Sequence, residues 1–416
     1  MCYSRNTDHP QHSLDEALFM YRTFSSCIAL WLLLTISSLT HADFSQNKAL
    51  LIGVDGMQLE KLQDAIDAGQ APALASFHLY KSWTGGIVGG PSEQPTFSGP
   101  GWTTLLTGTW LDRHSVSSND DKLRSKAASL FKRIDESAPT RHTASIVSWN
   151  TINDHFADDL AAGHIEQAAR CDGDDQCVVQ KTVEALRSGN FDFIFTHIDQ
   201  PDRVGHESGF STDYQDSIHA VDEQIQEIMG FLNHRRFTHP DENWLVIVTT
   251  DHGRRLPDGR DHGGQTQEEK TTFIGINKTP NEQLAKPIRD PDNADFEGLY
   301  GYASQADVAP TILTHLGIQP DPAHYSIDGL PLIGPLGVRQ LAASLDVPAH
   351  AVTLQWRTTA PGKQPIQIYR SGKLIATISG SEIEYVDRDL PKPVTALNYT
   401  VVMNGVPVSR WVKIAR

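Results

Sequence analysis

Positive charge is scarce in this chain: 35 Lys and Arg stand against 51 Asp and Glu, a formal net charge of −16. That balance excludes binding of nucleic acid or an anionic membrane through broad electrostatics and leaves room only for local basic clusters. Internal repeats and low-complexity tracts are lacking as well. With 39% hydrophobic and 8% aromatic residues the chain reads as an ordinary folded protein, and 416 residues are enough for two domains.

Long apolar runs are also missing. The run from Cys27 through Leu30, Trp31, Leu32, Leu33 and Leu34 to Ile36 is too short to cross a bilayer comfortably and reads as the core of a signal peptide. Arg22 precedes it, and Leu39-Thr-His-Ala42 ends in a small residue suited to cleavage, so residues 1–42 form the expected signal region and the mature chain begins at Asp43. Asp8, Asp15 and Glu16 make a poor positive leader, which favours Met20 as the start. A retained signal anchor is the other reading. Export to the periplasm or the outside is expected, with no stable transmembrane segment after processing.

Of four cysteines, Cys2 and Cys27 fall in that leader, leaving Cys171 and Cys177. One close pair in an exported protein points to a disulfide. Metal binding with Asp172, Asp174 and Asp175 is the alternative, in a segment without histidine.

What the chain does contain is a set of short apolar runs that end in polar residues. Residues 48–55, 144–149, 191–198 and 244–250 read as buried parallel strands, separated by helical stretches such as 213–232. Alternation of this kind implies an α/β fold, a mostly parallel sheet sandwiched by helices, with sites beyond the carboxyl ends of the strands. Asp55, Asp202 and Asp251 fall at or just past such ends. This domain is expected over residues 43–338. From about Val347 the pattern changes to alternating apolar residues with turns at Ser371-Gly372 and Asn404-Gly405, so residues 345–416 read as a small all-β sandwich of immunoglobulin or fibronectin type. Asn398-Tyr-Thr-Val resembles the tyrosine-bearing strand of such sandwiches.

The stretch Gln94-Pro-Thr-Phe-Ser-Gly-Pro-Gly-Trp-Thr-Thr-Leu-Leu-Thr-Gly108 puts a hydroxyl, Ser98, between a strand-like lead-in and a helix start whose N–H groups can face an anion. A plain turn is the other reading of its Gly-Pro-Gly. Asp202-Arg-Val-Gly-His206 places a carboxylate and an imidazole one helical turn apart. Asp251-His252 ends a strand, and His262 follows an arginine-rich loop. Jointly, Asp55, Ser98, Asp202, His206, Asp251, His252 and His262 supply the oxygen and nitrogen donors of two zinc-like ions beside a hydroxyl.

The order of these motifs, with Arg113-His-Ser-Val between them, resembles the alkaline phosphatase superfamily, and within it the type I phosphodiesterase/nucleotide pyrophosphatase branch, over residues 48–335. By position, the resemblance implies one metal held by Asp55, Asp251, His252 and the Ser98 oxygen, and another held by Asp202, His206 and His262. It differs in having serine as nucleophile where many diesterases have threonine, Gly101 where they place a phosphate-binding asparagine, and His262 close behind His252. The implied chemistry is hydrolysis of a small phosphate ester or nucleotide through a phosphoseryl intermediate, with two divalent ions, zinc preferred, and the Gly99 N–H serving the developing charge. Trp102 offers an aromatic face to an ester group or belongs to the core. Arg203, Arg254, Arg255 and Arg260 either clamp the extra charge of a monoester or lie in solvent. A phosphomonoesterase is therefore the alternative. A sulfatase would need an arginine that Ser98-Gly-Pro-Gly-Trp lacks, and a non-catalytic surface-binding protein has no reason to keep two metal sets beside a serine.

Overall fold

The unbroken apolar run near residue 50 becomes the centre of a large sheet. Asn47–Val54 (β1) is buried along its whole length. Successive side chains point to opposite faces, so Leu50, Ile52 and Val54 join one core cluster while Ala49 and Leu51 join the other. The structure, a computed structural model, describes residues 46–288, 295–358 and 364–414, together with Met1 and Gly362. Apart from Met1, the expected signal region lies outside the described residues.

β1 runs parallel to Phe193–Ile198 (β5) on one side and Asn243–Thr249 (β6) on the other. Thr143–Val147 (β3) and Gln167–Arg170 (β4) extend the sheet past β5. Beyond β6 lie Thr271–Ile276 (β7), His78–Trp83 (β2) and Ala303–Ser304 (β8), giving the order β4-β3-β5-β1-β6-β7-β2-β8. Only β7 is reversed, antiparallel to both of its neighbours. Helix Thr212–Thr238 covers one face with Ile218, Val221, Ile225, Ile228 and Leu232, a stripe at helical spacing. Helices Ser98–Thr107 and Val308–His315 cover the other with Leu105, Leu106 and Ile312. This is the α/β architecture expected from the sequence.

The C-terminal part forms two antiparallel sheets. Arg339–Asp346 (β9), Ala351–Arg357 (β10) and Glu384–Asp387 (β13) make one; Ile366–Arg370 (β11), Lys373–Ile378 (β12), Ala396–Met403 (β14) and Val406–Lys413 (β15) make the other. Their inner faces share Val352, Leu354, Trp356, Ile368, Tyr399 and Val401. Ser371-Gly372 and Asn404-Gly405 both sit at positive φ in two-residue hairpin turns. The buried Tyr399 hydroxyl donates to Asp387 at 2.7 Å. β9 starts ahead of residue 345, because only Leu341 and Leu345 are large apolar residues in it and the alternation there is weak. Arg113 stitches the two parts together, pairing with Asp328 at 2.9 Å and donating to Asn398 and Ser409 of the sandwich.

Cys171 and Cys177 are joined by a disulfide, so neither is a metal ligand. Among the described residues no helix is long and apolar enough to cross a membrane.

Candidate metal centre

Three strand ends converge. Asp55 follows β1, Asp251 follows β6, and Asp199 follows β5 and leads into helix Gln200–Ser208, which carries Asp202 and His206. Gly56 turns the chain at φ +58°, and a Cβ there would lie 2.3 Å from Asp202 Oδ1, so glycine both permits the turn and leaves room for the carboxylate. Ser98 is the first residue of its helix, and Gly101 in the same turn rests on Asp251: a Cβ at position 101 would stand 3.0 Å from the Asp251 Cβ. A side chain there would require Asp251 to give by a few tenths of an ångström. An amide arrives from another loop, since Asn119 Oδ1 accepts the Gly99 N–H at 2.8 Å.

The first group is sealed. Asp55, Asp251 and His252 present ligand atoms within 4.8 Å of one another, all buried. Ser98 Oγ lies 3.2 Å from both Asp55 Oδ1 and His252 Nε2. His252 Nδ1 faces the Gly253 carbonyl at 3.0 Å and donates to it, which leaves the Nε2 lone pair turned toward Ser98 and the carboxylates. Asp55 Oδ2 is held by Trp102 Nε1 at 2.8 Å and His197 Nε2 at 3.0 Å. His197 Nδ1 accepts from the Trp149 N–H, so its Nε2 is the donor. Asp251 Oδ1 accepts from Gly56, while Oδ2 is buried with no hydrogen-bond donor among the described residues.

The second group is open. Asp202, His206 and His262 also cluster within 4.8 Å, but the His206 side chain is 45% exposed. His262 Nδ1 donates to the Thr96 carbonyl at 2.8 Å, and its Nε2 meets His206 Nε2 at 2.9 Å. Two imidazole nitrogens so close need a proton or a cation between them. The rings of His252 and His262 stack at 3.7 Å, joining the two groups.

Crowded carboxylates set the electrostatics. Burial, then Asp55 and Asp202, hold Asp251 well above the usual carboxylate range. Burial, with Asp55 next, pushes Asp199 up to about 7. For Asp55 burial and Asp202 push upward, but the hydrogen bond from His197 and the charge of His252 outweigh them and the carboxyl ends below its ordinary value. Asp202 is likewise lowered against burial by His206, His252, His262 and Arg254. Burial, then His262, takes His252 down to about 3, which keeps it a neutral base. A buried, bare carboxylate oxygen facing a neutral imidazole is the donor set a divalent cation completes, and the residues present fit one in each group.

Two expectations need correcting. Trp102 is fully buried, packed against Phe195 and His197, with its N–H spent on Asp55; it orients a carboxylate and has no face for a substrate. Arg254 is buried too, paired with Asp202 and donating to the Gly259 and Arg260 carbonyls, so it clamps no ester. Arg203 pairs with Glu207, Arg255 with Asp261, and Arg260 donates to the Glu207 carbonyl. The Gly99 N–H is engaged by Asn119. His197 and Asn119 went unnoticed in the sequence as site residues; a histidine inside an apolar strand was the available signal for the first.

Residues 119–265 match the model of the metalloenzyme superfamily, a span that holds Asp202, His206, Asp251, His252 and His262. Among curated proteins the chain is similar to GPI ethanolamine phosphate transferase 1 of Yarrowia lipolytica, 25% identical over 261 residues, 55% of this chain and 27% of the relative. The chain spans about a quarter of the length of the curated relatives it matches. Solved structures with a similar fold include a 2-O GAG sulfatase, with 12% identity, 82% of this chain and 84% of that one covered, and a TM-score of 0.49. Murine ectonucleotide pyrophosphatase / phosphodiesterase 5 is another, at 12% identity, 66% and 96% coverage and a TM-score of 0.45. The matched model names the metalloenzyme superfamily and no narrower branch.

Proposed function

We propose that this chain is a metal-dependent hydrolase of phosphate esters in the alkaline phosphatase superfamily, acting through Ser98 on a phosphodiester or pyrophosphate bond. The observation that carries the reading is the position of Ser98 Oγ, 3.2 Å from Asp55 and from His252, beside the donor-less Oδ2 of Asp251. Asp55, Asp251, His252 and Ser98 would hold one divalent cation, and Asp202, His206 and His262 the other; imidazole with carboxylate suits zinc. Such ions lower the pKa of the hydroxyl and neutralise charge on the transferred group.

The chain's own residues do the rest. Trp102 and His197 fix Asp55 from behind, so the carboxylate and Ser98 keep their mutual geometry. Ser98 Oγ attacks phosphorus in line, the ester oxygen leaves on the far side, and a phosphoseryl group results. Water reaching it from the side of Asp202, His206 and His262, where His206 is exposed, then hydrolyses it. Asn119 holds the Gly99 N–H at the helix start, where a non-bridging oxygen would take over that donor.

The diester preference rests on charge. A monoester carries a second negative charge, and the four arginines beside the motifs are all engaged elsewhere. Asn119 brings a neutral amide instead. Similarity to a phosphate transferase favours one further reading, transfer of the phosphoryl group to an alcohol in place of water, which uses the same intermediate. The disulfide fits an oxidising compartment outside the cytoplasm. The test compares kcat/KM for bis(p-nitrophenyl) phosphate and p-nitrophenyl phosphate, with and without an added alcohol acceptor. Preference for the diester with inorganic or singly esterified phosphate as the released product is expected; a strong monoester preference overturns the substrate assignment.

A further inference from the structure

A separate cleft of about 790 Å³ opens between the α/β part and the sandwich, walled by Trp83, Trp110, Tyr300 and Tyr302 on one side and by Trp356 and Trp411 on the other. No proposed metal ligand lines it. Trp110 lies past the C-terminal end of the helix that begins at Ser98, and ten helical residues put those ends roughly 15 Å apart. Trp83 and Trp110 stack at 5.1 Å with Tyr300 edge-on at 4.9 Å; both tryptophans are buried, so the half-buried Tyr300 and Tyr302 carry the open aromatic surface of the inner wall. At the mouth Ile87, Ile383 and Trp411 are exposed.

Apart from Asp112, the ionic groups of the cleft are engaged by neighbouring side chains or backbone, Arg357 included. Asp328 is paired with Arg113 and Arg410, Asp307 accepts from Gln283 and the Leu330 N–H, Arg339 donates to Gln283 and the Lys286 carbonyl, and Glu384 accepts from Gln355. A phosphate or nucleotide entering here would meet no uncommitted guanidinium among these. Two polar side chains on the lining, Asp112 and Gln340, hydrogen-bond to no other residue among the described ones, Asp112 meeting only its own N–H. Gln340 is also held at φ +52°, a conformation side-chain-bearing residues seldom adopt, which turns an exposed amide onto the cleft. Apolar surface with half-buried rings and two side chains bonded to no other residue suits a pyranose chain, whose C–H faces pack on aromatic rings while its hydroxyls bond sideways.

We propose that this cleft binds a neutral saccharide chain, with Trp411, Tyr300 and Tyr302 covering sugar faces and Asp112 and Gln340 meeting hydroxyls. The site does not depend on the metal centre or on the reaction assigned to it. Titration calorimetry on the full chain with cellohexaose, maltohexaose and chitohexaose, and with AMP as an anionic contrast, reads it directly. At least one hexaose binds one to one with a Kd on the order of 0.1 mM, and AMP leaves that affinity unchanged. Trp411→Ala and Asp112→Asn each weaken it tenfold or more while hydrolysis of a chromogenic ester stays within twofold. Trp411 is at the surface, so its removal leaves the thermal midpoint in place; should it fall, Asp112→Asn alone decides. Absence of binding by all three hexaoses, binding undiminished in the folded variants, or displacement of the sugar by AMP overturns the proposal.

Discussion

The two metal-ligand groups are built from the same residue types and differ in how they are held. Asp55, Asp251 and His252 stand at strand ends, fully buried, with Trp102 and His197 fixing Asp55, the Gly56 N–H fixing Asp251 and the Gly253 carbonyl fixing His252. Asp202, His206 and His262 come from one short helix and one loop, and His206 opens to solvent. The sealed group lies against the nucleophile and suits a tightly held ion; the open group lies where water enters and suits one that exchanges. Under the proposed function, the first group would activate Ser98 and the second would serve hydrolysis of the phosphoseryl group.

Ser98→Ala is the sharpest way to break that division. It removes the nucleophile from the sealed group and leaves the open one intact, so turnover should fall by roughly a thousandfold or more with metal still bound at Asp202, His206 and His262. Steady-state kinetics and metal analysis of the same sample check both halves, and unchanged turnover moves the nucleophile elsewhere. Next in size is Trp102→Phe, which keeps the ring but loses the N–H to Asp55; affinity at the sealed group should drop by about 10–100-fold, with the open group unaffected. Equal loss at both would mean the tryptophan acts through packing alone.

The smallest effect is a pH dependence at the open group. In metal-free protein Asp202 raises the His206 pKa, with burial opposing. The resulting stabilisation is fully present below the ordinary histidine value near 6.5 and is lost as pH rises through the raised folded value. The thermal midpoint of chelated wild type should thus exceed that of chelated His206→Gln in mild acid and converge with it in alkali. Metal uptake runs the other way, improving as the imidazole loses its proton. A midpoint difference that grows with pH would contradict the pairing.

Much of this was readable in the sequence because buried parallel strands leave a plain mark. The runs near residues 50, 195 and 247 have both faces covered, so apolar residues follow one another without interruption and the polar residue that ends each run stands at the sheet's carboxyl edge. The hairpins at Ser371-Gly372 and Asn404-Gly405 were legible for a local reason, the positive φ their turns demand. Other features depend on what the chain meets in space. The reversal of β7 follows from its pairing with β2 and β6, which no local pattern records. Trp102 could have faced solvent or core until Asp55 supplied a partner for its N–H. Asn119 reaches Gly99 from a loop with no periodicity, and Gly101 is small because Asp251 lies under it.

Stepwise chelation of the full chain, with bound metal and hydrolysis of a phosphodiester followed together, tests the two-group account most directly. Two equivalents of metal should be present at the start; the first should leave easily and take most of the turnover with it, the second should persist under milder chelation, and zinc should restore activity in the same order. Full turnover by protein verified to hold no metal would contradict it.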